Sequence, residues 1–218
     1  MTPRDAGLLE VEGFVLAGGR SIRMGQDKAL LDFNGMPLVQ LALRNLGTVT
    51  ESRRIVGDRP DLTCFAPVVP DLQASCGPLG GICAALKATS TDWNLFQPVD
   101  VPLLPAGFLR WMVRRVSQTR ALATVPAVGG MPQPLIAIYH RALLPELEQR
   151  LMTGDYGTIR AIEAAVAKEG CSGGCMDFFH VETLAAAGHF AGIETGDRIG
   201  RWFENLNRPV DLENCAAS

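Results

Sequence analysis

Residues 11–16 form a largely apolar run of strand length, and the residues directly after it constrain the fold more than any other stretch. Ala17, Gly18 and Gly19 come next, then three cations at Arg20, Arg23 and Lys28, then a segment with helical spacing at 37–46. A strand that empties into glycines and cations before a helix is the opening of an α/β unit with an anion site at its tip. Gly18 and Gly19 have no Cβ, so a ligand can press against the main chain, and amides at such a turn can point at an anion. Two phosphate loops are excluded by spacing. A Walker A loop needs Gly-x-x-x-x-Gly-Lys-Ser/Thr, whereas five residues separate Gly19 from Gly25 and Lys28 lacks both the preceding Gly and the following hydroxyl. The Gly-x-Gly-x-x-Gly of dinucleotide-binding folds is absent. The plain alternative is a glycine-rich surface loop with solvated charges.

The rest of the chain repeats the alternation. Strands are expected at 54–56, 65–69, 93–97, 122–125, 135–139, 177–181 and 202–205. Helices are expected at 37–46, 82–88, 104–116, 142–152 and 158–168, the second opened by Gly77-Pro78-Leu79-Gly80-Gly81. This order predicts a mainly parallel sheet with helices on both faces. The 218 residues, 47% hydrophobic, suit one domain, read as 11–218 behind a loose leader at 1–10. No apolar run reaches membrane-spanning length and the N-terminus lacks a signal pattern, so a cytoplasmic protein is expected. The net charge of −3 argues against broad nucleic-acid binding, which needs a basic excess. Six cysteines in a reducing compartment are expected as free thiols. Cys171 and Cys175 have a spacing that suits two zinc ligands, but no second pair follows, and a glycine-hinged loop is the simpler reading.

Ligands of open α/β sheets bind outside the carboxyl ends of strands. The first loop, Asp71 and Asp100 all leave such ends. Asp100, in Pro98-Val99-Asp100-Val101-Pro102, follows an apolar strand whose core does not need it. It suits a hard cation, because Mg²⁺ is often held by one or two carboxylates plus substrate phosphates; the alternative is an Asx turn. Asp71, after Pro70, is either another Asx turn or an acceptor for a ribose or base. Gly77, Gly80 and Gly81 either tighten packing or admit a flat base. The three histidines form no ligand spacing, and Ser21 lacks the nucleophile-elbow context.

Taken together, these residues resemble the molybdenum cofactor guanylyltransferase family, within nucleotidyltransferases of the nucleotide-diphospho-sugar type. The resemblance rests on Leu-Ala-Gly-Gly-x-x-x-Arg-Met-Gly-x-Asp-Lys at 16–28. It continues through Pro70-Asp71, the Gly77–Gly81 stretch with Ile82, and Pro98-Val99-Asp100-Val101-Pro102-Leu103. Gln133-Pro134-Leu135 and Trp202-Phe203-Glu204-Asn205-Leu206-Asn207-Arg208-Pro209 complete it. It implies a Rossmann-like three-layer α/β/α fold with a mixed, mostly parallel sheet. It also implies Mg²⁺-dependent transfer of GMP from GTP to the phosphate of molybdopterin, with release of pyrophosphate. A molybdoenzyme or cofactor-pathway protein would be the partner, with no nucleic acid or membrane involved.

By the same resemblance Leu16, Ala17, Gly18, Gly19, Arg20 and Gly80 cradle the nucleotide, and Lys28 and Arg23 meet its phosphates. Asp71 sits at the nucleoside, Asp100 holds the metal, and Asn205 and Asn207 lie near the metal side. Val56 stands where many relatives carry an Asn at the nucleoside, and Val99 where they often carry Cys. A cytidylyltransferase acting on the same pterin is the nearest alternative. A sugar-1-phosphate nucleotidyltransferase and a non-catalytic nucleotide- or partner-binding protein are the others.

Overall fold

The computed structural model describes residues 9–18, 27–72, 76–170, 175–193 and 199–206. Its strands are β1 (Val11–Leu16), β2 (Asp32–Phe33), β3 (Met36–Pro37), β4 (Arg53–Val56), β5 (Val68–Val69), β6 (Trp93–Pro98), β7 (Ala123–Val128), β8 (Met131–Pro132), β9 (Ala137–His140) and β10 (Met176–His180). Its α-helices are α1 (Leu38–Leu46), α2 (Gly77–Ala88), α3 (Ala106–Thr119), α4 (Leu144–Met152), α5 (Thr158–Glu169) and α6 (Val181–Ala186). The main sheet runs β10-β7-β9-β6-β1-β4-β5, with β8 paired to β7. β1 lies parallel to both β4 and β6, β4 is parallel to β5, and β7 is parallel to β10. β9 enters antiparallel between β6 and β7.

Side-chain alternation along the central strands builds the three layers. On one face Val11 and Val15 of β1, Ile55 of β4 and Leu95 of β6 pack with Leu38 and Leu46 of α1 and Phe108 and Met112 of α3. On the other face Phe14, Val56 and Phe96 pack with Leu79, Ile82 and Leu86 of α2, Leu147 of α4 and Ile162 of α5. Both faces being covered is why consecutive residues such as Phe14 and Val15 of β1, Ile55 and Val56 of β4 and Leu95 and Phe96 of β6 are apolar. No helix among the described residues is long and apolar enough to cross a membrane.

Residues 202–205 do not form a strand. Ile199–Phe203 is a 3₁₀ turn. Trp202 and Phe203 are both buried, and both pack on the Phe108 ring, at centroid distances of 5.7 and 5.4 Å. A strand would send consecutive side chains to opposite faces; a tight turn delivers both to one cluster. The segment expected at 65–69 shortens to β5, because Phe65 closes a turn through its amide, which donates to the Leu62 carbonyl at 3.0 Å. Val181 opens α6 instead of ending the strand before it. The body also reaches into the expected leader: the Leu9 amide donates to Ser117 Oγ on α3 at 3.1 Å.

Far from the strand tips that carry the site lies a buried carboxylate. Glu12, 2% exposed, accepts two hydrogen bonds from Arg54 (2.8 and 2.9 Å) and one each from Ser52 and Thr89. Burial alone would raise its pKa, but the Arg54, Thr89 and Ser52 hydrogen bonds and the Arg54 charge outweigh it and hold the group below its ordinary 4.5. A depressed folded pKa means that its contribution is full above the unfolded value and is lost as pH falls through the folded one. Glu12→Gln is therefore expected to lower stability at pH 7 by about 2–3 kcal/mol, since it breaks a buried pair whose Arg54 still reaches water. The gap from wild type should narrow below about pH 4, as read by denaturant unfolding at pH 7 and pH 3.5. An equal gap at both values would assign the loss to packing rather than charge.

Candidate active site

The order of the sheet creates the site. From β1 the chain crosses to β4 and β5 on one side, then returns through α2 to β6 on the other. The gap between β1 and β6 is thus a topological switch point, where open α/β sheets take ligands. The ladder extends past the strands and fixes this rim. The Ala17 amide donates to the Val56 carbonyl (2.9 Å), the Gly57 amide to the Val69 carbonyl (3.0 Å) and the Val99 amide to the Leu16 carbonyl (3.1 Å).

Above the rim opens a cavity of about 430 Å³, walled by the tips of β1, β4 and β6, the start of α2 and the turn at Lys28. Lys28 and Asp100 lie 72 residues apart in the chain and meet across it, Nζ to Oδ2 at 2.7 Å. Each is set by its own element. Lys28 begins a 3₁₀ turn capped by Asp27, whose Oδ1 accepts the Ala29 amide at 3.0 Å. Asp100 sits in the turn after β6, and its carbonyl accepts the Leu206 amide at 2.9 Å. Leu206, just past the Trp202–Phe203 plug, is thereby tied to that turn.

Asp71 follows β5 and lines the same cavity. Its carboxylate oxygens lie between Gly18 and Gly81, 3.6 and 3.4 Å from where a Cβ on each would sit. Burial, with the Asp58 charge second, pushes its carboxyl above the ordinary value. The approach of Gly57 to the first loop is closer still. Its φ is +141°, and a Cβ there would fall 3.0 Å from both Gly18 N and Cα, so backbone stacks on backbone where no larger residue fits.

Leu16, Ala17, Gly18, Lys28, Asp71 and Asp100 all line this one cavity. Gly80 does not: it is buried within α2, and the neighbouring Gly81 forms the wall. Asn205 is exposed and outside the cavity lining, one residue from the tie to Asp100. Gly19, Arg20, Arg23, Asn207 and Cys171 lie outside the described residues. Among the described residues no cluster of three or more His, Cys, Asp or Glu is arranged for a metal.

Sequence reasoning missed Arg59. It is 2% exposed, lines the cavity and pairs with Asp27 and Asp61. Its only signal is a charged residue inside Gly57-Asp58-Arg59-Pro60, which reads as an ordinary turn. The cavity lining carries two carboxylates, Asp71 and Asp100, and two described cations, Lys28 and Arg59, the latter already paired with Asp27 and Asp61. A polyphosphate entering such a wall calls for further positive charge.

A strand-tip cavity at the switch point of a mostly parallel sheet, crossed by a lysine–carboxylate pair, is where an α/β protein of this kind takes a ligand. The chain belongs to the MobA-like NTP transferase domain family, which residues 13–169 match. It is 33% identical over 176 residues to the molybdenum cofactor guanylyltransferase of Serratia proteamaculans, spanning 78% of this chain and 88% of that protein. It is 38% identical over 145 residues to the enzyme of the same name from Vibrio atlanticus, spanning 65% and 74%. The crystal structure of molybdopterin-guanine dinucleotide biosynthesis protein A from Archaeoglobus fulgidus superposes with a TM-score of 0.72 at 22% identity, over 94% of this chain and 97% of that one.

Proposed function

We propose that this chain, as one nucleotidyltransferase domain over 11–218, transfers GMP from GTP to the phosphate of molybdopterin, forming the guanine dinucleotide and pyrophosphate. The observation that carries the reading is the meeting of Lys28 and Asp100 at 2.7 Å inside the switch-point cavity. The attacking group is a substrate phosphate, already anionic near neutral pH, so no strong general base is required, and among the described residues no histidine lines the cavity. The task is to bring two anions together and to stabilise the leaving pyrophosphate, which positioning and electrostatics can do.

The backbone at Leu16, Ala17 and Gly18 supports the nucleotide, and Asp71 offers an acceptor to the nucleoside. Lys28 offsets charge on the phosphates, with Arg20 or Arg23 in the same role. The carboxylates of Asp71 and Asp100 in the cavity lining, hard oxygen donors, fit a divalent cation such as Mg²⁺. When bound, such an ion neutralises phosphate charge. Delivery of the product to a molybdoenzyme or another cofactor-pathway protein, in the cytoplasm, belongs to the same reading.

The nucleotide is tested by thermal unfolding with GTP, CTP, ATP and UTP, each with Mg²⁺. GTP at a hundredfold excess over its Kd is expected to raise Tm by about 5–10 °C, with smaller shifts for the others. Val56 in the cavity wall makes CTP the informative competitor. Stabilisation by CTP alone would overturn the guanylyl assignment, and pyrophosphate release on adding GTP and molybdopterin tests the transfer itself.

A further inference from the structure

The transfer reaction proposed for this site gives no role to Arg59, yet it is a guanidinium held 2% exposed in the wall of the cavity. Its Nε donates to Asp61 Oδ1 at 3.0 Å and its Nη2 to Asp61 Oδ2 at 2.7 Å, while Nη2 also donates to Asp27 Oδ2. Asp27 uses its other oxygen, Oδ1, to cap the turn that carries Lys28. One carboxylate thus joins the buried arginine to the turn, and the turn joins Lys28 to Asp100.

The base of this chain of contacts is fixed. The Arg59 amide donates to the Gly57 carbonyl (2.9 Å), the Leu62 amide donates to the Arg59 carbonyl (3.0 Å), and Leu62 is fully buried. The same segment also meets the other side of the first loop, where Gly57 stacks on Gly18. Both described flanks of the cationic loop, Gly18 and Asp27, therefore rest on residues 57–61. With its Nε and Nη2 engaged by two carboxylates, the Arg59 guanidinium is poised to act through Asp27.

We propose that Arg59 is a positioning residue for the transfer reaction: by holding Asp27 against residues 57–61 it sets where the Lys28 ammonium stands. The inference rests on the reading of Lys28 as a phosphate contact. A burial of this kind is costly unless the charge is paired on good geometry, and a misplacement of about 1 Å can cost about a hundredfold in rate.

The test is a double-mutant cycle on the full chain, with GTP, Mg²⁺ and molybdopterin, read as kcat/KM by pyrophosphate release. Arg59→Met is expected to lose about tenfold or more. Arg59→Lys, which cannot engage both carboxylates as a planar fork, is expected to lose about three- to tenfold. In a Lys28→Ala background the same substitutions should cost less than about threefold, because the residue they position is gone. Asp27→Asn keeps an oxygen for the cap but weakens the ion pair, and it should couple to Lys28 in the same way; this variant decides the matter if Arg59→Met does not fold. Equal losses in both backgrounds for every folded variant would overturn the proposal and reduce Arg59 to a structural clamp. A wild-type protein that neither binds GTP nor releases pyrophosphate would instead remove the underlying reading, and the proposal with it.

Discussion

Asp100→Ala is expected to slow pyrophosphate release from GTP and molybdopterin by about a hundredfold or more, the range seen when a preorganised electrostatic group is removed. Three features of the molecule carry that expectation. The side chain follows β6 at the switch point and lines the cavity. Its turn is held by the Val99 amide on the Leu16 carbonyl and by the Leu206 amide on its own carbonyl, so the carboxylate starts from a fixed base. It also meets Lys28 across the cavity. Asp100→Asn separates charge from shape, and a rate still within tenfold of wild type would deny Asp100 its role as a metal ligand. Titrating Mg²⁺ against both variants checks the cause, since loss of a ligand raises the metal concentration needed for half-maximal rate.

Lys28→Ala is expected to cost a similar factor of about a hundred in kcat/KM. Its ammonium reaches the cavity from a turn capped by Asp27, 18% exposed and thus partly stripped of water, where a charge acts over a lower dielectric. Stability should change little by comparison. The ion pair with Asp100 is partly exposed at both ends, and such pairs contribute about 1 kcal/mol or less. A rate loss of two orders with Tm shifted by only a few degrees would therefore be catalytic in origin. Near-normal turnover in both Lys28→Ala and Asp100→Ala would contradict the whole assignment of the site.

How much of this is legible in the sequence depends on what each residue answers to. β1 and β6 are legible because both faces of the central sheet are covered, so adjacent residues such as Phe14 and Val15, or Leu95 and Phe96, are apolar together. The strand-tip residues Gly18, Lys28, Asp71 and Asp100 stand out because glycine, lysine and aspartate beside an apolar run serve no packing need, whereas Leu16 and Ala17 also pack on the core. The β2–β3 hairpin is different. Its signal is present in Asn34-Gly35, which take φ of +54° and +81°, the pair of left-handed residues a tight hairpin turn asks for. Strands of two residues on each side are too short to show a period.

The antiparallel entry of β9 is also silent in the sequence, because a buried strand reads the same in either direction. Arg59 is hidden for a related reason. Its partner Asp27 becomes a neighbour only through the fold, and Arg59 with Asp61 two residues on reads by default as a solvated turn. Gly81 rather than Gly80 lines the cavity because helical phase decides which of two adjacent residues faces inward, and a glycine pair carries no side-chain pattern to set that phase.

The bond between the Leu206 amide and the Asp100 carbonyl has a consequence for how the protein is made. During synthesis β6 emerges long before its brace, and about a hundred further residues must leave the ribosome before the Trp202–Phe203 plug can seat on Phe108. The nascent chain can thus close its sheet around β1 while the turn bearing the acidic tip still lacks this fastening, so that the turn at Asp100 is braced only after the central strands have paired.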